Sequence, residues 1–259
     1  MEYDYTILES VPDAPGRNGT QPLGGARIIV EFPRLKLAQV NELRRTFYKN
    51  IEVLKLTYFH IRNHYSNFTD TILCDRLSLL AMRHEAAIEE YSSEFVKGGQ
   101  TNFPGVRFEL QKEGPGVVYG SDLKLYYDPL PIKGKGKKKS VEKNLTPEEV
   151  TSRLRASIIH PETPIIHLYA GQKVDLSAYA VRGNHNQNAA FTAGLCTFYE
   201  VDEKGEIPVI PPEEGDLDHL KLRMIVESYG QYSPQQLLDR LIAIESKNHV
   251  KHEEVNEVH

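Results

Sequence analysis

The sequence predicts an α+β fold in which one sheet carrying two helices is interrupted by an inserted β-rich domain. Three observations predict it. Apolar residues Leu37, Val40, Leu43 and Phe47 recur at three and four, the spacing of an amphipathic helix, and "SPQQLLDRLIAIESKN" near the end of the chain repeats that pattern. Strand-like runs flank both helices. Between them, after about Ile88, the texture changes to short β-rich runs with turns of their own, as expected of an insertion. The expected boundaries are a leader over 1–25, a discontinuous domain over 26–88 and 216–259, and an insert over 89–215.

Each element has its own signal. The stretch from Val11 to Gly25 is rich in Pro, Gly and Asn and predicts a flexible leader, with order beginning near Ala26 in the strand "ARIIVEF". The first helix covers residues 37–48. Between Ile51 and Ile61 the β-branched and aromatic content rises and alternation predicts a strand. "DTILCDRLSLLAMRH" then reads as a helical or turn-rich segment. The insert contains "GVRFELQ", "GVVYGSDLKLYY", "TPIIHLY", "KVDLSAYAVRG" and "GLCTFYEVD" as strands, broken by the lysine-rich loop "KGKGKKKSVEKN" and closed by "EKGEIPVIPPEEGD". "HLKLRMIVES" alternates as a strand, and Ser233 with Pro234 predicts the N-cap and first position of the last helix.

Composition sets the functional classes. With 259 residues, 40% hydrophobic and 26% charged, the chain has enough length to bury roughly 70 to 75% of its unfolded surface without disulfides or a structural metal. Cys74 and Cys196 are too few and too far apart for a secreted disulfide framework, so both are expected to be buried thiols in a reducing compartment. There is no basic start followed by an apolar run, and no eighteen consecutive apolar residues. The expectation is an intracellular protein that neither is exported nor spans a membrane. A net charge of −5 argues against an autonomous, non-specific nucleic-acid binder.

Chemical motifs are weak. His60 and His64 have the spacing of two metal ligands, but the glutamate of a zinc protease is absent. His185 in "GNHNQN" and the pair His160 and His167 add no supporting cysteine or carboxylate spacing, so no metal and no cofactor is expected. "GKGKKKS" lacks the spacing and the strand-to-helix setting of a phosphate-binding loop and reads as solvated. The adjacent acidic pairs at 89–90, 148–149 and 213–214 do not converge, and no Ser sits on a strand-turn-helix elbow. No catalytic residue is assigned.

Four blocks of sequence resemble the alpha-type assembly subunits of multisubunit DNA-dependent RNA polymerases: the bacterial alpha amino-terminal domain, the archaeal D subunit and the third-largest subunit of polymerase II. "VNELRRTF" is similar to the family's helix pattern through Asn41, Leu43, Arg44 and Arg45. "DRLSLLAM" is similar to the segment before the family's insertion, with Arg76, Leu77, Leu79 and Leu80 in place. "VVYGSDLK" and "LYAGQKVDLSAYAVRG" form the third block, and "MIVESYGQYSPQQLLDRLIAI" the fourth. Two departures stand out. The chain lacks the cysteine cluster that many members carry in the insert, and the turn that usually reads His-Ala-x-Trp offers Asn188, Ala189 and Phe191. They raise a virus-encoded polymerase as one source.

The resemblance implies an alpha-like dimerisation domain with an antiparallel sheet and two helices. It also implies a non-catalytic scaffold role, the catalysis belonging to the assembled nucleotidyltransferase. The implied partners are a smaller alpha-like subunit in a heterodimer, the second-largest subunit, and small assembly subunits, with DNA reached only through the complex. The site would be the nucleus, or the infected-cell cytoplasm or virion for a viral enzyme. Along a helix Arg44 and Arg45 lie 100° apart, so at least one must leave the stripe of Val40, Leu43 and Phe47. The resemblance places that stripe against the alpha-like partner and the arginines against the second-largest subunit, a role suited to the planar, weakly hydrated guanidinium. Leu237, Leu238, Leu241 and Ile244 form a second stripe, broad enough for part of it to meet a partner helix. The expected interface is therefore Asn41, Leu43, Arg44, Arg45, Phe47, Arg76, Leu237, Leu238 and Leu241. Two other classes compete: a stand-alone protein- or nucleic-acid-binding adaptor using the lysine loop, and a metallohydrolase using His60 and His64. Elemental analysis of the pure protein is expected to show no stoichiometric zinc or iron, and a full equivalent of either would move the histidines into a metal site.

Overall fold

Residues 3–11, 26–84, 86–91, 105–128, 148–149, 155–207 and 220–256 are described by a computed structural model. The chain divides into two compact units, one of Met1–Glu52 with Asn184–His259 and one of Val53–Gly183. The architecture is mixed α+β with antiparallel sheets. The inserted unit thus begins at 53 rather than 89 and ends at 183 rather than 215. The boundary expected from texture moves because backbone pairing, not composition, decides which strand belongs where.

The discontinuous unit is built on four strands: β1 (Thr6–Val11), β2 (Arg27–Leu35), β11 (Gly194–Glu200) and β12 (Leu220–Ser228), in the order β1-β2-β12-β11. β12 pairs antiparallel with β2, with Val30 opposite Met224 and Ile28 opposite Val226. All four of these side chains are buried. Period-two alternation explains this, since Ile28, Val30 and Phe32 face inward while Arg27 and Glu31 face out. On the outer face Arg223 Nε donates to Glu31 Oε2 at 3.1 Å and Arg223 Nη1 to the Gly205 carbonyl at 2.8 Å. Helices α1 (Leu37–Asn50) and α3 (Pro234–Asn256) pack against each other and against these strands. The expected leader is corrected in part: residues 6–11 pair with β2, because Tyr3 and Tyr5 anchor the segment on the Phe32 ring at 6.5 and 5.9 Å. The remainder of the leader and the lysine loop at 133–143 lie outside the described residues.

The inserted unit has a sheet in the order β3-β10-β5-β7, formed by β3 (Val53–Tyr65), β5 (Gly105–Glu113), β7 (Lys124–Asp128) and β10 (Lys173–Gly183). Two smaller ladders, β4 (Met82–His84) with β8 (Ala156–Ile158) and β6 (Gly116–Tyr119) with β9 (Pro164–Leu168), and the helix α2 (Asp70–Ser78), complete it. Leu54, Leu56, Leu73, Leu77, Phe108, Leu110 and Leu176 are among the residues of one buried cluster. "GVVYGSDLKLYY" is two strands, β6 and β7, broken by a single turn of 3₁₀ helix at Gly120–Asp122. Three turns are stitched by Gln172, whose Oε1 accepts from the Tyr169 N–H, whose Nε2 donates to Asn67 Oδ1, and whose carbonyl accepts from the Gly114 N–H at 2.8 Å. Gly114 suits the spot because a Cβ there would lie 2.2 Å from the Tyr169 carbonyl oxygen.

β3 carries two irregularities in its register with β10. One leaves Arg62 as an extra residue, since Asn63 pairs with Asp175 while Ile61 pairs with Leu176. Arg62 uses the position to bond Asp175 at 2.7 Å, Glu109 at 2.6 Å and Ser177 at 2.5 Å, and Glu109 in turn pairs with Arg107, which holds Asp128 at 2.7 Å. A ladder of charge therefore crosses all four strands.

Lys55 is the buried cation of β3, with Nζ reaching the Leu79 and Leu80 carbonyls beyond the end of α2 at 3.5 and 3.4 Å. These contacts are long, and desolvation wins: burial lowers the Lys55 pKa from 10.5 to about 8. The folded state then binds this proton less tightly than the unfolded chain. The charge destabilises fully below about pH 8, and the penalty fades as pH rises toward 10.5. Lys55→Met is expected to raise the unfolding free energy at pH 7 by up to about 3 kcal/mol, less what the carbonyl contacts contribute. Denaturant titrations of both proteins from pH 7 to 10.5 check it: the difference should shrink with rising pH.

Candidate partner interface

Helix α1 begins where the Lys36 N–H donates to Gln39 Oε1 at 2.9 Å, closing a capping turn. Val40, Leu43, Thr46 and Phe47 are buried, whereas Asn41, Arg44, Arg45 and Lys49 are exposed, and Leu37 is 45% exposed. At 100° per residue, Arg44 and Arg45 flank an outer strip centred on Leu37 and Asn41. Both arginines, not one, leave the apolar stripe. Arg34 and Lys36, just ahead of the helix, are exposed as well. Five cations thus gather on and beside one helix of a chain whose net charge is −5.

The apolar members of the expected interface stand elsewhere. Leu43, Leu237, Leu238 and Leu241 are 0% exposed and Phe47 is 1% exposed. A side chain already sealed within its own chain offers no area to a partner, so these five are core residues, and the expectation of a partner-facing stripe is corrected to that extent. The signal behind the expectation was apolar spacing, which reports burial without saying by what. The last helix starts as its sequence implies. Ser233 Oγ accepts from the Gln236 N–H at 3.1 Å and Gln236 Oε1 accepts from the Ser233 N–H at 2.9 Å, with Pro234 first in the helix. Its buried face includes a charge that periodicity does not reveal, Glu245, at 0% exposure. Burial, followed by the charges of Glu245 and Glu42, pushes the Tyr3 hydroxyl up to about 12.

Arg76 belongs to the inserted unit. It is exposed on α2, donates from Nη2 to the Pro164 carbonyl at 3.2 Å, and lies over the Phe68 ring at 5.4 Å. It ties α2 to the start of β9 while keeping part of its surface open. Cys74 is half-buried rather than buried, and Cys196 is buried as expected.

His60 and His64 are not brought together. The extra residue at Arg62 puts His60 opposite Ser177 and His64 opposite Val174, three apart on β10, so the two rings lie on opposite faces of the sheet. His64 is instead held between Asp70 Oδ1 and Ser66 Oγ, each at 2.6 Å. His167 packs on Tyr169 at 4.9 Å, and His185 Nδ1 meets Thr192 Oγ1 at 2.8 Å. Among the described residues no group of three or more His, Cys, Asp or Glu stands together. In the turn where Phe191 takes the aromatic position, its ring is fully buried and Asn188 caps the turn by accepting from the Ala190 N–H at 2.8 Å.

No family model matches the chain. It is 25% identical over 185 residues to the DNA-directed RNA polymerase subunit Rpo3 of Methanosarcina mazei, covering 71% of this chain and 58% of that protein. The Rpo3 subunit of Methanosarcina acetivorans is 27% identical over 184 residues, covering 69% and 56%, and that of Pyrobaculum calidifontis 26% identical over 166 residues, covering 62% and 53%. The chain is similar to RNA polymerase subunits. The chain spans about half the length of the curated relatives it matches.

Because Phe47 is sealed inside its own unit, Phe47→Ala is expected to destabilise this chain by about 3 to 5 kcal/mol. Chemical denaturation of the isolated chain measures it. A loss confined to partner pairing, with unfolding unchanged, would return the ring to an interface.

Proposed function

We propose that the chain is a non-catalytic assembly subunit of a DNA-directed RNA polymerase. In this reading it pairs with a smaller alpha-like subunit and carries that pair, with small assembly subunits, onto the second-largest subunit. DNA is met only through the complex. Support comes from the similarity to Rpo3 subunits and from one structural observation above others. Asn41, Arg44 and Arg45 are exposed on a helix whose apolar side is already used within the chain. A helix needs no such cluster for its own stability, since like charges on neighbouring positions repel. Guanidinium groups that face water in the free chain suit bidentate pairing with carboxylates or carbonyls on a docking partner.

The two surfaces then fall differently from what spacing suggests. With the stripes of α1 and α3 buried, and with Leu37 sharing the strip of Asn41, Arg44 and Arg45, contact with the alpha-like partner falls to the outer side of α3, where Ala243 is exposed.

Replacing Arg44 and Arg45 together with Ala is expected to leave the thermal unfolding midpoint of the isolated chain unchanged, because neither side chain is buried. Docking onto the second-largest subunit should weaken at least tenfold. Truncating one partner of a buried, hydrogen-bonded charge pair typically costs about 2 to 5 kcal/mol. Pull-downs against the second-largest subunit and the alpha-like subunit separately, across a salt series, distinguish the two surfaces. Assembly of the double variant at wild-type yield and salt resistance would sink the assignment.

A further inference from the structure

Among the described residues strand β11 ends its sheet, paired on one side with β12 and with no strand on the other. An open edge presents N–H and C=O groups to which another strand can add. At Cys196 both groups are taken by one side chain from α1. The Cys196 N–H donates to the Tyr48 hydroxyl at 3.2 Å, and that hydroxyl donates to the Cys196 carbonyl at 3.4 Å. In an antiparallel ladder a single opposing residue exchanges both bonds with its partner. The hydroxyl stands in for that residue. We propose that Tyr48 is a positioning residue that closes the free edge of β11 at Cys196 and so latches α1 to the sheet.

The ring is gripped on two sides. Phe47 meets it edge-on at 5.3 Å and His185 lies against it at 5.7 Å, with His185 itself held by Thr192 Oγ1. The loop "GNHNQN" that leads into β11 therefore has a structural role, because it carries the histidine that backs the latch. Burial pushes the Cys196 thiol up to about 12 and raises the Tyr48 hydroxyl, while the nearby charge of Arg44 opposes both shifts. Arg44 stands one turn before Tyr48 on the same helix.

The latch acts within the isolated chain, so its test needs no polymerase partner. The sequence holds two cysteines, so labelling with ¹⁵N-cysteine yields two amide resonances, Cys196 and Cys74. Cys74 lies inside α2 and serves as the reference. In Tyr48→Phe, which keeps the ring and removes the hydroxyl, hydrogen exchange at Cys196 is expected to accelerate about tenfold with Cys74 unchanged, the effect of losing one to two ordinary hydrogen bonds. An unchanged Cys196 rate overturns the proposal, and so does an equal acceleration of both amides, which reports global loosening instead. The wild-type chain gives an answer even if the variant does not fold: a Cys196 amide that exchanges as fast as an uncovered edge amide also overturns it.

Discussion

The pairing of β2 with β12 is the constraint on which the discontinuous unit rests. It joins Arg27 to Glu227 and Leu35 to Leu220, residues that lie far apart in the sequence. The register is held from both faces, by Ile28, Val30, Met224 and Val226 within and by Glu31 with Arg223 without. A slip of one residue would carry every buried side chain to the solvent face and bring the charged ones in. The two helices inherit their placement from this ladder, since α1 follows β2 directly and α3 follows β12 after a short turn.

That inheritance separates burial from display. α1 and α3 give their apolar stripes to the chain's own core, where each fully buried Leu or Phe contributes roughly 1.5 to 3 kcal/mol. What remains on α1 is polar and cationic, and it is presented by a helix held at its capping turn and along its length. A rigid helix with exposed guanidiniums suits selective docking better than a mobile loop would, because less ordering is needed on contact. In the proposed scaffold role the core and the docking surface are therefore two sides of one element.

Much of this was legible in the sequence. The three- and four-residue spacing of Val40, Leu43 and Phe47, the Ser233 and Pro234 start of the last helix, and most strands of the inserted unit stand where local pattern puts them, whereas Leu37, counted in the same stripe, is exposed at the start of its helix. Domain boundaries were not legible, because nothing local tells β3 that its partner is β10 or tells β11 that its partner is β12. Faces across an irregular strand were not legible either. His60 and His64 share a face only if the alternation between them is unbroken, and the extra residue at Arg62 breaks it. Spacing identified the buried leucines of α3, yet it assigned part of them to a partner, because periodicity cannot name what covers a stripe. Lys55 and Tyr48 were missed for one reason: each works through a tertiary neighbour, a helix end or a strand edge.

The ends of the inserted unit sit side by side, with Val53 paired to Gly183 in the β3 and β10 ladder. Once that ladder forms, everything between Glu52 and Asn184 ceases to be a loop in the polymer sense. The two halves of the discontinuous unit are then joined by a clamp one strand-spacing wide. Loop-closure entropy grows with the logarithm of loop length, so the clamp turns the distant search of β2 for β12 into a nearby one. The antiparallel pairing of its first and last strands thus offsets much of the sequence separation that the insertion places between β2 and β12.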